Sequence, residues 1–262
     1  VNVALAGAGA FALTGILVWL APHLGLLDRP ESAPERKLQR GPVPRVGGIV
    51  LALGLSALWF ARLWSPAAPL AFGAAFALGL ADDLAPRGLP RALKFALEAG
   101  VCALFAWETP GSAALAFGLA ALALAAANTF DNADGALSAL ACAGLARSAP
   151  CAAAILGGFL PWNLWIRARS GAPRAYLGDA GSHLIGLVLL ADPRSAPILV
   201  LPLLDLLRLS WVRWRAGSRP WIGDRRHLAH LLQARGWSPT AVAAILLALA
   251  LLFALALALA LG

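Results

Sequence analysis

Charge is scarce in this chain. Asp, Glu, Lys and Arg make up 13% of its 262 residues, against 60% hydrophobic residues, where a soluble domain carries about a quarter charged and roughly half apolar. That shortage excludes a water-soluble globular domain. Cysteine is also rare: Cys102, Cys142 and Cys151 lie scattered in apolar stretches with no C-x-x-C spacing, which excludes a disulfide framework or a cysteine metal site. The N-terminus lacks a basic stretch and a cleavage site, so no cleavable signal is expected. Methionine is absent, leaving Val1 as either an alternative start or a trimmed end. Solenoid-length repeats are missing too. The net charge of +8 would suggest nucleic acid in a soluble protein, but in so apolar a chain its sidedness matters more, and no nucleic-acid partner is expected.

What is present is hydrophobic sequence in runs. Ten can be read, at 1–20, 46–63, 66–81, 92–107, 112–127, 133–145, 149–166, 181–190, 196–209 and 240–261. A span needs about 20 apolar residues, so the shorter runs must borrow from their flanks. The expected fold is an all-α membrane protein of about ten transmembrane helices, one polytopic domain over 1–262. Of the 21 basic residues, all but Arg62, Arg147 and Arg194 fall in the odd-numbered connections. The positive-inside rule then puts those connections in the cytoplasm and both termini outside. The carboxylates follow: only Glu98, Glu108 and Asp192 lie away from the cytoplasmic connections and their rims.

Four polar clusters mark that side. Asp82-Asp83 closes the third run, with Lys94 following; paired carboxylates at a membrane boundary call for a cation or a proton, although a solvated helix end would also explain them. Asn128, Asp131 and Asp134 recur at i, i+3 and i+6, which on a helix places them on one face. Gly178-Asp179-Ala180-Gly181-Ser182 brackets a carboxylate with glycines, where the backbone can approach a ligand and helix-start amides can face phosphate. Taken singly, each of these two reads better as a capped helix start. Asp224-Arg225-Arg226-His227-Leu228-Ala229-His230 lies in the most basic connection, which a membrane-surface anchor would also explain. Together they offer carboxylates for Mg²⁺ and cations for phosphates on one membrane side, a set suited to phosphoryl transfer.

In this order, from Pro44-Arg45-Val46-Gly47-Gly48 to His230, the clusters resemble the polyprenyl-phosphate N-acetylhexosamine-1-phosphate transferase family. Asp82-Asp83 and Lys94 resemble its paired aspartates and following lysine. Asn128 and Asp134 resemble its Asn-rich, Asp-Gly segment, and Gly178 to Ser182 its Gly-Asp-x-Gly-Ser element. Pro202-Leu203-Leu204-Asp205 with Arg208, then Asp224-Arg225, His227 and His230, resemble its last cytoplasmic loop, in the form of the branch that uses UDP-N-acetylglucosamine and related sugars.

The resemblance implies a Mg²⁺-dependent enzyme of the bacterial inner membrane, with Mn²⁺ as an alternative metal. It would move a sugar-1-phosphate from a UDP-sugar to polyprenyl (undecaprenyl) phosphate and release UMP, in an envelope glycopolymer pathway such as cell-wall or lipopolysaccharide synthesis. It implies Asp179 as metal ligand with Asp83 as a second carboxylate, and Asp82 accepting a proton from, or orienting, the lipid phosphate. Asn128, Asp131 and Asp134 would serve the nucleotide side. Lys94, Arg225 and His227, with Arg40, Arg45 and His230, would hold the phosphates. A homodimer is compatible with it. Leu137 and Ser138 depart from the family's second Asp-Gly, Asp131 stands in an Asn position, Ala229 in a His position and Glu98 in a Gln position. Those departures keep open a catalytically silent relative that binds lipid or nucleotide. A transporter would explain the hydrophobicity but not carboxylates gathered at one rim, since transporter sites lie near mid-membrane.

Overall fold

The computed structural model describes residues 2–32, 39, 41–219 and 224–261. Among them are eleven α-helices: α1 (Val3–Leu20), α2 (Gly47–Phe60), α3 (Pro69–Leu84), α4 (Arg91–Glu108), α5 (Ala113–Phe130), α6 (Ala136–Leu145), α7 (Pro150–Leu164), α8 (Gly178–Ala191), α9 (Val200–Arg215), α10 (Leu228–Ala234) and α11 (Pro239–Leu261). Two short strands, β1 (Leu27–Asp28) and β2 (Val43–Pro44), pair antiparallel. Each of the ten apolar runs is a helix, while α10 falls in what reads as a basic loop. Three helices are long and apolar enough to cross a membrane by length and composition: Val3–Leu20, Ala113–Phe130 and Pro239–Ala260.

Local chemistry explains the helix ends. The Asn2 side chain accepts the Ala4 N–H at 3.0 Å to start α1. Pro69 and Pro150 stand in the first turns of α3 and α7, where a missing N–H loses no helical bond. Glu108 at the end of α4 accepts N–H bonds from Leu70 and Ala71 at 2.9 and 2.7 Å. A carboxylate there satisfies orphan donors and complements the helix dipole, which accounts for one acid far from the others.

Helix α8 is the centre of the bundle, buried from Ala180 to Leu189, and it packs on α3, α5 and α2. Small residues allow the approach. A Cβ on Gly79 of α3 would collide with the Ala180 backbone, and one on Gly48 of α2 with Ala180 and Gly181. Apolar helices in lipid associate through such van der Waals fit. Backbone bonds then tie the first connection to the seventh: Tyr176 N–H donates to Pro44 (2.7 Å), Gly47 N–H to Tyr176 (3.0 Å) and Gly48 N–H to Leu177 (2.9 Å). All five odd-numbered connections border one large cavity.

Candidate active site

The cavity measures about 1510 Å³. Residues of the helix ends that frame it carry its polar lining.

Asp82 and Asp83 end α3, and Lys94 lies in the first turn of α4. Asp82 accepts the Leu89 N–H at 2.7 Å and faces Lys94 Nζ at 3.2 Å. Lys94 also pairs with Asp179, in the first turn of α8. The ammonium thus bridges two carboxylates from different helices. Asp83 is buried and does something else. Its two oxygens accept the backbone N–H groups of Asp179 (3.1 Å) and Ala180 (3.0 Å), and Arg45 approaches at 3.4 Å. The expectation that the α8 amides face phosphate is therefore corrected: they are capped by Asp83. Gly178, at φ +76°, makes the turn that aims them there, and a Cβ at 178 would strike the Asp83 carboxylate. Arg45 is itself held by Asp28, which also takes Gln39.

The helical reading of Asn128, Asp131 and Asp134 is also corrected. Helix α5 stops at Phe130, and Asp131 is its cap, at φ −75° and ψ 41°. The next residues turn, with Gly135 left-handed at φ +72°. The three still reach the cavity, by turning into it. Asn128 accepts a long bond from the Ser182 hydroxyl at 3.5 Å. Asp134 is held by Arg167 at 2.6 Å. Burial and the facing carboxylates Asp179, Asp83 and Asp134 hold Asp131 well above the usual carboxylate range. Burial also raises Asp134, against the pull of Arg167. It raises Tyr176 as well.

On the far wall, α9 runs on past its apolar run to Arg215, which brings Arg213 inward, 5% exposed. Arg213 grips both oxygens of Asp224 at 3.2 Å and approaches His227 Nε2 at 3.5 Å. The other ring nitrogen, Nδ1, lies 2.6 Å from the Asn132 amide nitrogen. Burial, with the neighbouring His230 and Arg213, lowers His227 to about 4. Burial pushes Asp224 up, but hydrogen bonds from Arg213 and Arg226 outweigh it and hold the carboxyl at about 2. His230 contacts Gln233 at 3.3 Å and is lowered by burial. Arg208 pairs with Asp205 at 2.9 Å and donates to the Arg226 carbonyl at 2.6 Å.

The cavity therefore collects Asp82, Asp83, Asp179, His227, Arg45, Lys94, Asn128, Asp131, Asp134 and His230. Arg225 is exposed and off the lining. Arg40 lies outside the described residues. Asp28, Asn132, Arg167 and Arg213 join the lining without having been singled out in sequence; the alternation of basic connections marked Arg167 and Arg213 only as charges. Leu137 is 0% exposed and Ser138 hydrogen-bonds Asn163 at 3.0 Å. Both departures thus point into the core.

Among the described residues, no group of three or more His, Cys, Asp or Glu is arranged to hold a metal by itself. Mg²⁺ needs less, since it usually takes one or two carboxylates with substrate phosphate oxygens and water. Asp179, with Asp82 and Asp131 lining the same cavity, fits that donor set.

The chain matches no protein-family profile. It is similar to curated proteins named undecaprenyl-phosphate alpha-N-acetylglucosaminyl 1-phosphate transferase. That of Salmonella typhi is 29% identical over 297 aligned positions, covering 90% of this chain and 80% of the relative. That of Escherichia coli (strain K12) is 26% identical, covering 84% and 72%, and that of Yersinia pestis 28%, covering 88% and 77%. The similarity spans nearly all of the chain, including the ends of α3, α5 and α8 that build the cavity, and it supports the resemblance to the polyprenyl-phosphate N-acetylhexosamine-1-phosphate transferase family.

Proposed function

We propose that the chain transfers a sugar-1-phosphate, N-acetylhexosamine-1-phosphate in the first instance, from a UDP-sugar to undecaprenyl phosphate at the cytoplasmic face of the bacterial inner membrane. A phosphate oxygen of the lipid attacks the β-phosphorus of the donor. The bond from that phosphorus to the oxygen bridging it to the α-phosphate breaks, and UMP leaves with the electron pair. The observation that carries this reading is the Lys94 bridge between Asp82 and Asp179 at the cavity floor. One ammonium between two carboxylates leaves the site net negative, a setting for a cation, and the ammonium can exchange carboxylate partners for phosphate ones. All ten apolar helices crossing the membrane, with the odd connections inside, would open this cavity to the cytoplasm.

In this reading Mg²⁺ would be held by Asp179, and it would neutralise charge on the diphosphate when bound. Asp83, whose oxygens are engaged by the α8 amides, sets the position of Asp179. Asp82 orients the lipid phosphate or takes its proton. Lys94 turns its ammonium to phosphate oxygens. Asn128, Asp131 and Asp134, the last braced by Arg167, serve the nucleotide side. His227, its two ring nitrogens facing Asn132 and Arg213, ties those side chains together at the diphosphate side of the cavity. Arg45 is held by Asp28 and Asp83, and supports the floor from behind.

The test is UMP release by detergent-purified protein given Mg²⁺, undecaprenyl phosphate and a panel of UDP-sugars. Release with one donor, abolished by EDTA and by Asp179→Asn, is expected. An active Asp179→Asn variant would sink the metal assignment. Folded protein that releases no UMP with any donor would point to the silent relative.

A further inference from the structure

One helical turn along α4 from Lys94, at the edge of the cavity, lies a second polar contact that the proposed chemistry does not use. His183 of α8 is 0% exposed, and neither ring nitrogen has a hydrogen-bond partner. Its Nε2 lies 3.4 Å from Glu98 Oε1 of α4. The surroundings are apolar: Leu184, Ile185 and Leu187 follow on α8. An imidazole there forgoes the hydrogen bonds it makes in water, which an apolar side chain would not.

The spacing explains its retention. Lys94 and Glu98 are four residues apart on α4, and Asp179 and His183 are four apart on α8, so each pair shares a helix face. The result is two rungs between the same two helices, Lys94–Asp179 and Glu98–His183, separated by about 6 Å of helix rise. Along α4 the order is cation then carboxylate; along α8 it is carboxylate then imidazole. A one-turn slip would either set Lys94 opposite His183 and take the ammonium away from Asp179, or set Glu98 opposite Asp179, acid against acid. Both helices pack chiefly on α3 and α5, so these long side chains bridge between them.

We propose that Glu98 and His183 are positioning residues, forming a rung, buried at its His183 end, that fixes the register of α4 against α8 and so sets Lys94 opposite Asp179. This deepens the transferase reading and rests on it for its consequence in catalysis. The geometric claim stands apart from that reading.

The experiment separates the two. Lys94→Cys and Asp179→Cys are combined in a chain whose three native cysteines are replaced by Ala, and cross-linking by a short bifunctional thiol reagent that spans the gap left by the lysine is timed in detergent. Glu98→Leu and His183→Leu are each added, with Glu98→Gln and His183→Gln as the conservative variants and size-exclusion profiles confirming folded protein. Cross-linking slows by about tenfold or more with Glu98→Leu and His183→Leu, and recovers in part with Glu98→Gln and His183→Gln, whose amides keep a hydrogen bond across the rung. Unchanged cross-linking in folded Glu98→Leu and His183→Leu overturns the proposal. In the otherwise native chain, the same variants lower kcat for UMP release while KM for the donor holds. If kcat is unchanged while cross-linking slows, the rung stands and its catalytic consequence fails. If the parent releases no UMP with any donor, the transferase reading fails and the cross-linking result still decides the rung.

Discussion

Asp83→Asn tests the clasp that holds the start of α8. The carboxylate is buried, and each oxygen receives one backbone N–H, from Asp179 at 3.1 Å and Ala180 at 3.0 Å. Asparagine fits the same space but keeps one acceptor and turns an NH₂ toward the other N–H. One buried amide then goes unpaired, at about 1–3 kcal/mol, and the remaining bond loses its charge assistance, roughly 1 kcal/mol more. The sum is on the order of 2–4 kcal/mol, applied at Asp179 itself. Since each 1.4 kcal/mol is a factor of ten, local opening should rise roughly 30- to 1,000-fold. Amide hydrogen exchange of a peptide covering 177–186, followed by mass spectrometry on detergent-purified protein, reads that opening directly. Asp82→Asn is the control, because its contacts are Leu89 N–H and Lys94, and it should leave exchange at 179 and 180 unchanged. Unaltered exchange in Asp83→Asn would falsify the clasp.

Arg213→Ala should lower kcat/KM by on the order of a hundredfold, since it removes a two-oxygen grip on Asp224 in a buried setting. Arg225→Ala, on an exposed side chain off the lining, should stay within about threefold; equal losses would overturn the contrast. Leu137→Asp, aimed at restoring a family carboxylate, should instead bury an unpaired charge and prevent accumulation of folded protein. A folded variant with raised turnover would refute this. For His227 the folded chain binds its proton less tightly than the unfolded chain, at about 4 against 6.5. Its stabilisation is therefore whole above pH 6.5 and lost as pH falls toward 4. Melting temperature should drop across that window, and less steeply in His227→Asn; identical slopes would contradict the buried, neutral ring.

Much of this was legible because apolar runs and basic connections alternate strongly. Ten runs became ten helices, and Asp82, Asp83 and Asp179 sit at the helix ends that the run boundaries indicated. What stayed hidden has a physical cause. The i, i+3, i+6 spacing at Asn128 to Asp134 mimics a helical face, but the Asp-Gly pair at 134–135 favours a left-handed turn, and the chain breaks earlier. Glycines around Asp179 suggested a phosphate cradle; which partner reaches those amides depends on α3 packing closely enough through Gly79 to insert Asp83. Arg213 looked like loop charge because hydropathy falls where α9 leaves its apolar run, although the helix itself continues. The Glu98–His183 contact joins residues 85 apart in sequence, and the i, i+4 spacing of each from Lys94 and Asp179 gains meaning only once α4 and α8 are side by side.

The two walls of the cavity are built from unlike materials. On the α3–α8 side, Gly79 meets the Ala180 backbone and Gly48 meets Gly181, contacts of bare main chain that ions in solution cannot reach. On the α9–α10 side, closure rests on charged side chains, Arg213 on Asp224 and Arg208 on the Arg226 carbonyl. Dissolved electrolyte weakens the more exposed contacts there, those of Arg208 and Arg226, more than the buried Arg213, and leaves packed backbone alone. One wall of the cavity is thus fixed by close packing that salt leaves alone, and the other by charges whose outer members salt can loosen.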